Sequence, residues 1–171
     1  MMKTPAEVLE EIIKSRRSVF PKDYSTEPIP QEVLEKIRES AQWAPSHKKT
    51  DPGRFKLFQG AEKNELGQVL AELYRAITPP EVFLQKKYQD ISNKIDKSYA
   101  VFSIVVHFSG KVPEWEELAS TAMAVQNMYL MATAYHVGCY WSSPEIIQQI
   151  GSYLQLAENE KCLGFFYLGN T

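Results

Sequence analysis

Three short clusters hold the residue types most capable of chemistry. Arg16-Arg17-Ser18 follows directly on an amphipathic segment. Two guanidiniums and a hydroxyl at a helix end can clamp a phosphate, the arginines by their planar forks and the serine as a short donor. Arginines there also offset the negative end of the helix dipole with no ligand present. Pro45-Ser46-His47-Lys48-Lys49 is a second basic cluster, in a polar, turn-rich stretch that runs to Gly53. His47 and its lysines can meet an anion or the polar edge of a ring, or simply form a solvated loop. Trp141-Ser142-Ser143 is the third, an aromatic face followed by two hydroxyls. Trp141 equally suits a core position, and Ser143 a helix N-cap.

Other chemistries lack their residues. His47, His107 and His136 lie far apart with no pair at ligand spacing, so no metal site is expected. The chain has no G-x-S-x-G, no Cys–His hydrolase pattern, no G-x-G-x-x-G and no P-loop. Without visible acid–base machinery no catalytic side chain is assigned, which favours chemistry carried by a cofactor.

The elements that must position these clusters follow from pattern. Thr4-Pro5-Ala6-Glu7 is a capping box with Pro at the first helical position. Val8, Leu9, Ile12 and Ile13 then continue a first helix to about Ser15–Arg17. Pro30 opens a second helix, apolar at Val33, Leu34, Ile37 and Ala41, which ends at Ala44-Pro45. Residues 54–58 read as a short strand, and residues 62–77 as a helix despite Gly67. Pro79-Pro80 breaks the chain before a polar helix carrying Tyr88, Ile91 and Ile95. Residues 99–108, YAVFSIVVHF, are apolar on both faces and belong in the middle of a covered sheet.

The segment from Glu114 to His136 reads as one long helix, stopped by Gly138, and residues 118–135 contain no charge. Its length approaches a transmembrane span. Ser120, Thr121, Gln126, Asn127 and Thr133 spread around it, and no basic cluster flanks it, so burial in a core and against a second subunit is the expectation. Cys139-Tyr140-Trp141 is a short extended piece, Ser143-Pro144-Glu145 caps a last helix through Leu154, and Cys162–Leu168 is the final strand. Helices and strands do not alternate regularly, so the class is α+β, in one domain spanning 1–171.

Composition bounds the partners. Nineteen Lys+Arg against twenty-one Asp+Glu give a net charge of −2, which argues against nucleic acid or an anionic membrane as partner. Seventeen of the basic and fifteen of the acidic residues lie in residues 1–97. The remainder carries only eight charges, so it should be mostly interior or interface. Two cysteines make no disulfide framework, and the acid-rich start is no signal peptide, so a cytoplasmic location is expected.

Taken together, these features resemble the FMN-dependent nitroreductase-like family over nearly the whole chain. The carriers are Arg16-Arg17-Ser18, the run from Ala44 to Phe55 with its Ala-Pro-x-His-Lys pattern, and Lys111-Val112-Pro113-Glu114-Trp115. Trp141-Ser142-Ser143 and the closing Gly164–Gly169 run complete the set in register. The resemblance implies a three-layer fold, with a mostly antiparallel sheet flanked by helices, in an intertwined homodimer. It further implies one FMN in each of two sites between subunits. Arg16 and Ser18 would contact the phosphate and the flavin's polar edge, with Arg17 assisting; His47 would reach in from the partner subunit. Trp141, Ser142 and Ser143 would line the ring, with Phe20 beside it. NADH or NADPH would deliver hydride to flavin N5, and an electron-poor small molecule such as a nitroaromatic or quinone would then take its place and be reduced.

Three departures from the family pattern stand out. Phe20 stands where many members have Arg or Lys, Gly53 replaces the usual Trp, and longer members continue past Gly169-Asn170 into a tail that can add basic contacts. A flavin-binding or redox-sensing dimer without turnover is therefore the alternative. Specialised chemistry of this fold, such as dehalogenation, lacks an inserted lid segment. Residues 81–97, with Lys86-Lys87, form the expected mobile cover over the site.

Overall fold

The chain folds around a four-stranded, wholly antiparallel sheet with helices on both faces, as seen in a computed structural model that describes residues 2–171. Strands β1 (Gly53–Phe58), β2 (Ala100–His107), β3 (Val137–Ser142) and β4 (Glu160–Asn170) lie in the order β1-β2-β4-β3. The apolar run at 99–108 takes the interior position it requires, paired with β1 on one side and β4 on the other. Its alternate residues feed two cores. Ala100, Phe102 and Ile104 pack with α2 (Gln31–Ser40) and α5 (Glu114–Ala134); Val101 and Val105 pack with α3 (Gly60–Ile77) and α4 (Gln85–Lys97). Helix, sheet, helix are the three layers expected.

Gly67 sits mid-helix in α3 because α4 approaches closely: a Cβ there would lie 3.3 Å from Ile95 Cγ2. At Gly164 (φ +137°) an added Cβ would meet the Ser142 carbonyl oxygen at 2.3 Å, beside a register shift between β2 and β4. Only glycine suits that backbone. Gly53 opens β1, and the Phe55 ring occupies the space a larger side chain would need, 2.8 Å from an added Cβ.

Two boundary expectations are corrected. The long helix ends at Ala134 rather than His136, because His136 itself turns left-handed (φ 57°) while Gly138 continues in β3. Gly138 is small for a different reason: the Tyr24 ring and Thr171 crowd its Cβ position. The last helix is not continuous from Ser143 either. Pro144 precedes a 3-10 segment, Glu145–Gln149, and only Gly151–Leu154 (α6) is α-helical, so Ser143 is exposed and caps nothing with its side chain.

Beyond the three glutamates of its first turn, helix α5 carries no charge, and it buries Thr121, Ala124, Val125, Met128 and Ala132 inward. Its other face is open: Trp115, Leu118, Ala119, Ala122, Met123 and Gln126 recur at helical spacing on the surface. Helix α1 (Pro5–Ser15) packs against α5 and buries none of its own residues, leaving Leu9 52% and Ile13 51% exposed. Trp43, nearby in sequence to the end of α2, is 83% exposed. Among the described residues no helix is long and apolar enough to cross a membrane.

Candidate functional site

The capping box of α1 forms as expected, Thr4 accepting from the Glu7 N–H at 3.3 Å and Glu7 accepting from the Thr4 N–H at 2.7 Å. It fixes the start of α1, and therefore where the chain leaves it. Beyond Arg16 the backbone runs along the free edge of β3, where the Val19 N–H donates to the Cys139 carbonyl at 2.9 Å. An extended segment sends alternate side chains to opposite sides. Ser18 falls on the α5 side, its hydroxyl 3.5 Å from that of Tyr129. Phe20 falls on the α3–α4 side, its ring 4.6 Å from that of Tyr140.

Arg16 also gathers on the α5 side, its guanidinium 5.3 Å from the centre of the Tyr129 ring. Among the described residues it takes part in no ion pair, so its charge is available to an anion. Arg17 behaves differently. Its Nη1 donates to the carbonyls of Lys14 and Arg16, at 2.7 and 2.8 Å, and so closes the C-terminus of α1. The two adjacent arginines therefore divide into one free cation and one helix cap.

Strand β3 splits the third cluster in the same way. Trp141 packs with the α5-side core, donates its indole N–H to the Leu163 carbonyl at 3.1 Å, and gives its backbone N–H to the Tyr129 hydroxyl at 2.8 Å. Ser142 is buried on the opposite face and lines a cavity of about 1020 Å³ between the sheet, α3 and α4. Phe20, Tyr74, Pro144, Glu145 and Tyr167 line the same space. Burial holds the Tyr167 phenol far above its ordinary pKa, and does the same for Tyr24, which donates to the Val19 carbonyl at 2.8 Å. Both phenols are neutral at physiological pH.

His47 stands apart. Its Nδ1 lies 2.5 Å from Glu116 Oε2, in the first turn of α5, on a loop where Lys48, Lys49 and Asp51 all adopt positive φ. Lys48 donates to the Lys111 carbonyl at 3.2 Å and ties that loop down. Thirteen residues of α5 separate Glu116 from Tyr129, about 20 Å along the axis at 1.5 Å per residue. One chain thus brings Arg16, Ser18 and Trp141 together on one side of β3, and Phe20 and Ser142 on the other, but it does not bring His47 to them. Tyr129, on which three of these groups converge, carries no sequence signal, since a tyrosine in the charge-free stretch 118–135 reads as core. Among the described residues no cluster of potential metal ligands is found.

With this geometry in place, the comparisons with known proteins are specific. The fold is that of a nitroreductase-like family protein from Bacillus cereus, with a TM-score of 0.83 at 22% identity, covering 99% of this chain and 87% of that one. The FMN-dependent nitroreductase NfnB from Mycobacterium smegmatis, solved in complex with NADPH, matches with a TM-score of 0.78 at 17% identity, over 98% and 89% of the two chains. Among curated proteins, YfhC of Bacillus subtilis, whose name assigns it provisionally as an NAD(P)H nitroreductase, is 26% identical over 167 residues, 95% of this chain and 84% of its own. The model of the Nitroreductase family matches residues 13–170. The chain belongs to that family, and with it to a class of oxidoreductase enzymes.

Proposed function

We propose that the chain forms a homodimeric, cytoplasmic, FMN-dependent oxidoreductase that uses NAD(P)H to reduce electron-poor small molecules such as nitroaromatics or quinones. The observation that carries this reading is the Arg16–Phe20 segment lying along the free edge of β3. It sets an unpaired guanidinium and a hydroxyl on one side of that edge and a large, partly apolar cavity on the other. The residues present fit a phosphorylated ring cofactor. Arg16 and Ser18 supply donors for the phosphate, the buried Ser142 lines the cavity with the exposed Ser143 hydroxyl next to it in sequence, and Phe20, packed on Tyr140, supplies an apolar wall. When bound, FMN supplies a two-electron carrier that takes hydride from NAD(P)H and passes it to the acceptor. The protein's part is to hold and orient both molecules and to keep water from the reacting face. No side chain acts as a nucleophile.

A second copy completes the site. The open apolar stripe on α5 and the uncovered face of α1 are what a two-fold interface would bury. A two-fold across α5 runs the helices antiparallel. That places the Glu116 end of one copy, with His47, beside the Tyr129 end of the other, closing the 20 Å gap within one chain.

The test is steady-state consumption of NADH or NADPH with 2-methyl-1,4-naphthoquinone as acceptor. Consumption that requires both added FMN and the quinone supports the reading. FMN retained without consumption supports the alternative, a flavin-binding or redox-sensing dimer, and no FMN binding contradicts both.

A further inference from the structure

The cavity beside Ser142 has one wall whose chemistry the cofactor does not explain. Helix α4 turns a single stripe toward it, Lys87, Asp90, Ile91, Lys94 and Lys97, at helical spacing. From the opposite side Lys22, two residues beyond Phe20, lines the same space. Four lysines therefore face two carboxylates, Asp90 and Glu145, across one opening. All four lysines are exposed, and among the described residues none joins an ion pair. Elsewhere on the chain lysines 3, 14, 36 and 56 each pair with a glutamate, whereas these four share one opening with their charges uncompensated by an ion pair. Lys87 is held over the face of Tyr74, 4.9 Å from its centre, and Tyr74 also accepts the Leu84 N–H that begins α4. The Lys87 ammonium is thus positioned by packing, and a neighbouring carboxylate does not neutralise it.

We propose that this wall is an anion-selecting subsite for the small molecule that enters above the cofactor: molecules carrying a carboxylate, sulfonate or phosphate are preferred over neutral isosteres. The proposal rests on the oxidoreductase reading for the identity of that molecule, but the electrostatic preference belongs to the cavity itself. A cleft whose charged lining is four cations against two carboxylates carries an excess of one sign, which concentrates ligands of the opposite sign, and the effect weakens as salt rises. The preference has two possible sources in turnover, the 2′-phosphate of NADPH or an acidic group on the acceptor.

The experiment compares binding of 2-naphthoate and its neutral isostere 2-naphthamide to the FMN-supplemented protein by calorimetry, at low and high salt. Naphthoate is expected to bind more tightly, by about threefold or more at low salt, with the advantage shrinking in high salt. The double variant Lys94→Glu, Lys97→Glu, exposed positions away from the sheet, is expected to abolish or reverse it. Equal affinities in the wild type, or a preference that survives the double variant, would overturn the proposal. Two kinetic arms separate the sources. The ratio of NADPH to NADH in anaerobic flavin reduction reads the donor. The ratio of 1,4-naphthoquinone-2-sulfonate to 2-methyl-1,4-naphthoquinone in reoxidation reads the acceptor. Loss of at least one ratio in the double variant supports the subsite, and both unchanged contradicts it. Absence of flavin reduction in the wild type would sink the oxidoreductase reading alone, because the calorimetric preference does not depend on turnover.

Discussion

Tyr129 accepts the backbone N–H of Trp141 at 2.8 Å, and the same hydroxyl stands 3.5 Å from that of Ser18. One phenol near the end of α5 thereby links the edge strand β3 to the segment that follows α1. Its ring is kept in place by an edge contact with Phe166, 4.8 Å between centres. Tyr129→Phe keeps that contact and removes only the oxygen. The expected cost is about 1–2 kcal/mol in a denaturant titration, since the Trp141 N–H is left unpaired in a partly buried place. FMN retention should weaken in parallel, because Ser18 loses its neighbour; unchanged stability would contradict the role given to this hydroxyl.

Arg16 and Arg17 differ in what they hold, and substitutions should separate them. Arg16→Ala removes the unpaired guanidinium and is expected to weaken FMN binding about tenfold or more, the scale of one charge-assisted hydrogen bond. Arg17→Ala removes a cap on α1 and is expected to lower stability with a smaller effect on FMN. A fluorescence titration of FMN into each variant, with a melting curve beside it, reads both. Equal FMN losses would refute the division of labour.

Met123 lies mid-way along the open stripe of α5. Met123→Glu leaves the single folded chain with a solvent-accessible charge, but a two-fold seam would bury it unpaired. The dimer dissociation constant should rise about 100-fold or more, seen by sedimentation as a shift to monomer. A wild type that sediments as a monomer would contradict the interface.

Alkaline pH should destabilise the protein steeply. Burial pushes the Cys139 thiol up to about 12 and the Cys162 thiol up to about 11, and also raises the phenols of Tyr24 and Tyr167. These groups stay protonated in the folded chain while the unfolded chain loses its protons near ordinary pKa values. The folded state therefore binds more protons, and stability falls as pH rises above about 9. Each such group adds a slope of about 1.4 kcal/mol per pH unit within its window. Lys63 works in the opposite direction: burial lowers its pKa, so its contribution improves as pH approaches the ordinary lysine value. Cys139→Ala should flatten the decline between pH 9 and 12, measured by urea unfolding across that range. An identical slope would show that this thiol is not protected as described.

Much of the fold was legible because each layer has its own period. The apolar run of β2, broken only by Ser103 before His107 ends it, and the apolar stripes of α2 and α3 leave few alternatives. The charge-free stretch of α5 from Leu118 on was legible too, but its outward half is open in one chain, so the missing charges mark a surface as well as a core. Local conformation was harder to read. Nothing in the type of residue marks His136 as the left-handed end of α5 when Gly138 stands two positions on. The site was legible as types and not as sides: Trp141 and Ser142 are neighbours in sequence, yet the pleat of β3 sends them to opposite faces. Likewise Arg16 and Arg17 look equivalent until the α1 carbonyls claim one of them.

Anaerobic addition of NADPH or NADH to the FMN-supplemented protein, followed by visible absorption, tests the central claim most directly. The account predicts that bound flavin bleaches fully on addition of one equivalent and that colour returns when a quinone is added. A bound flavin that keeps its oxidised spectrum under excess of both nucleotides would contradict it.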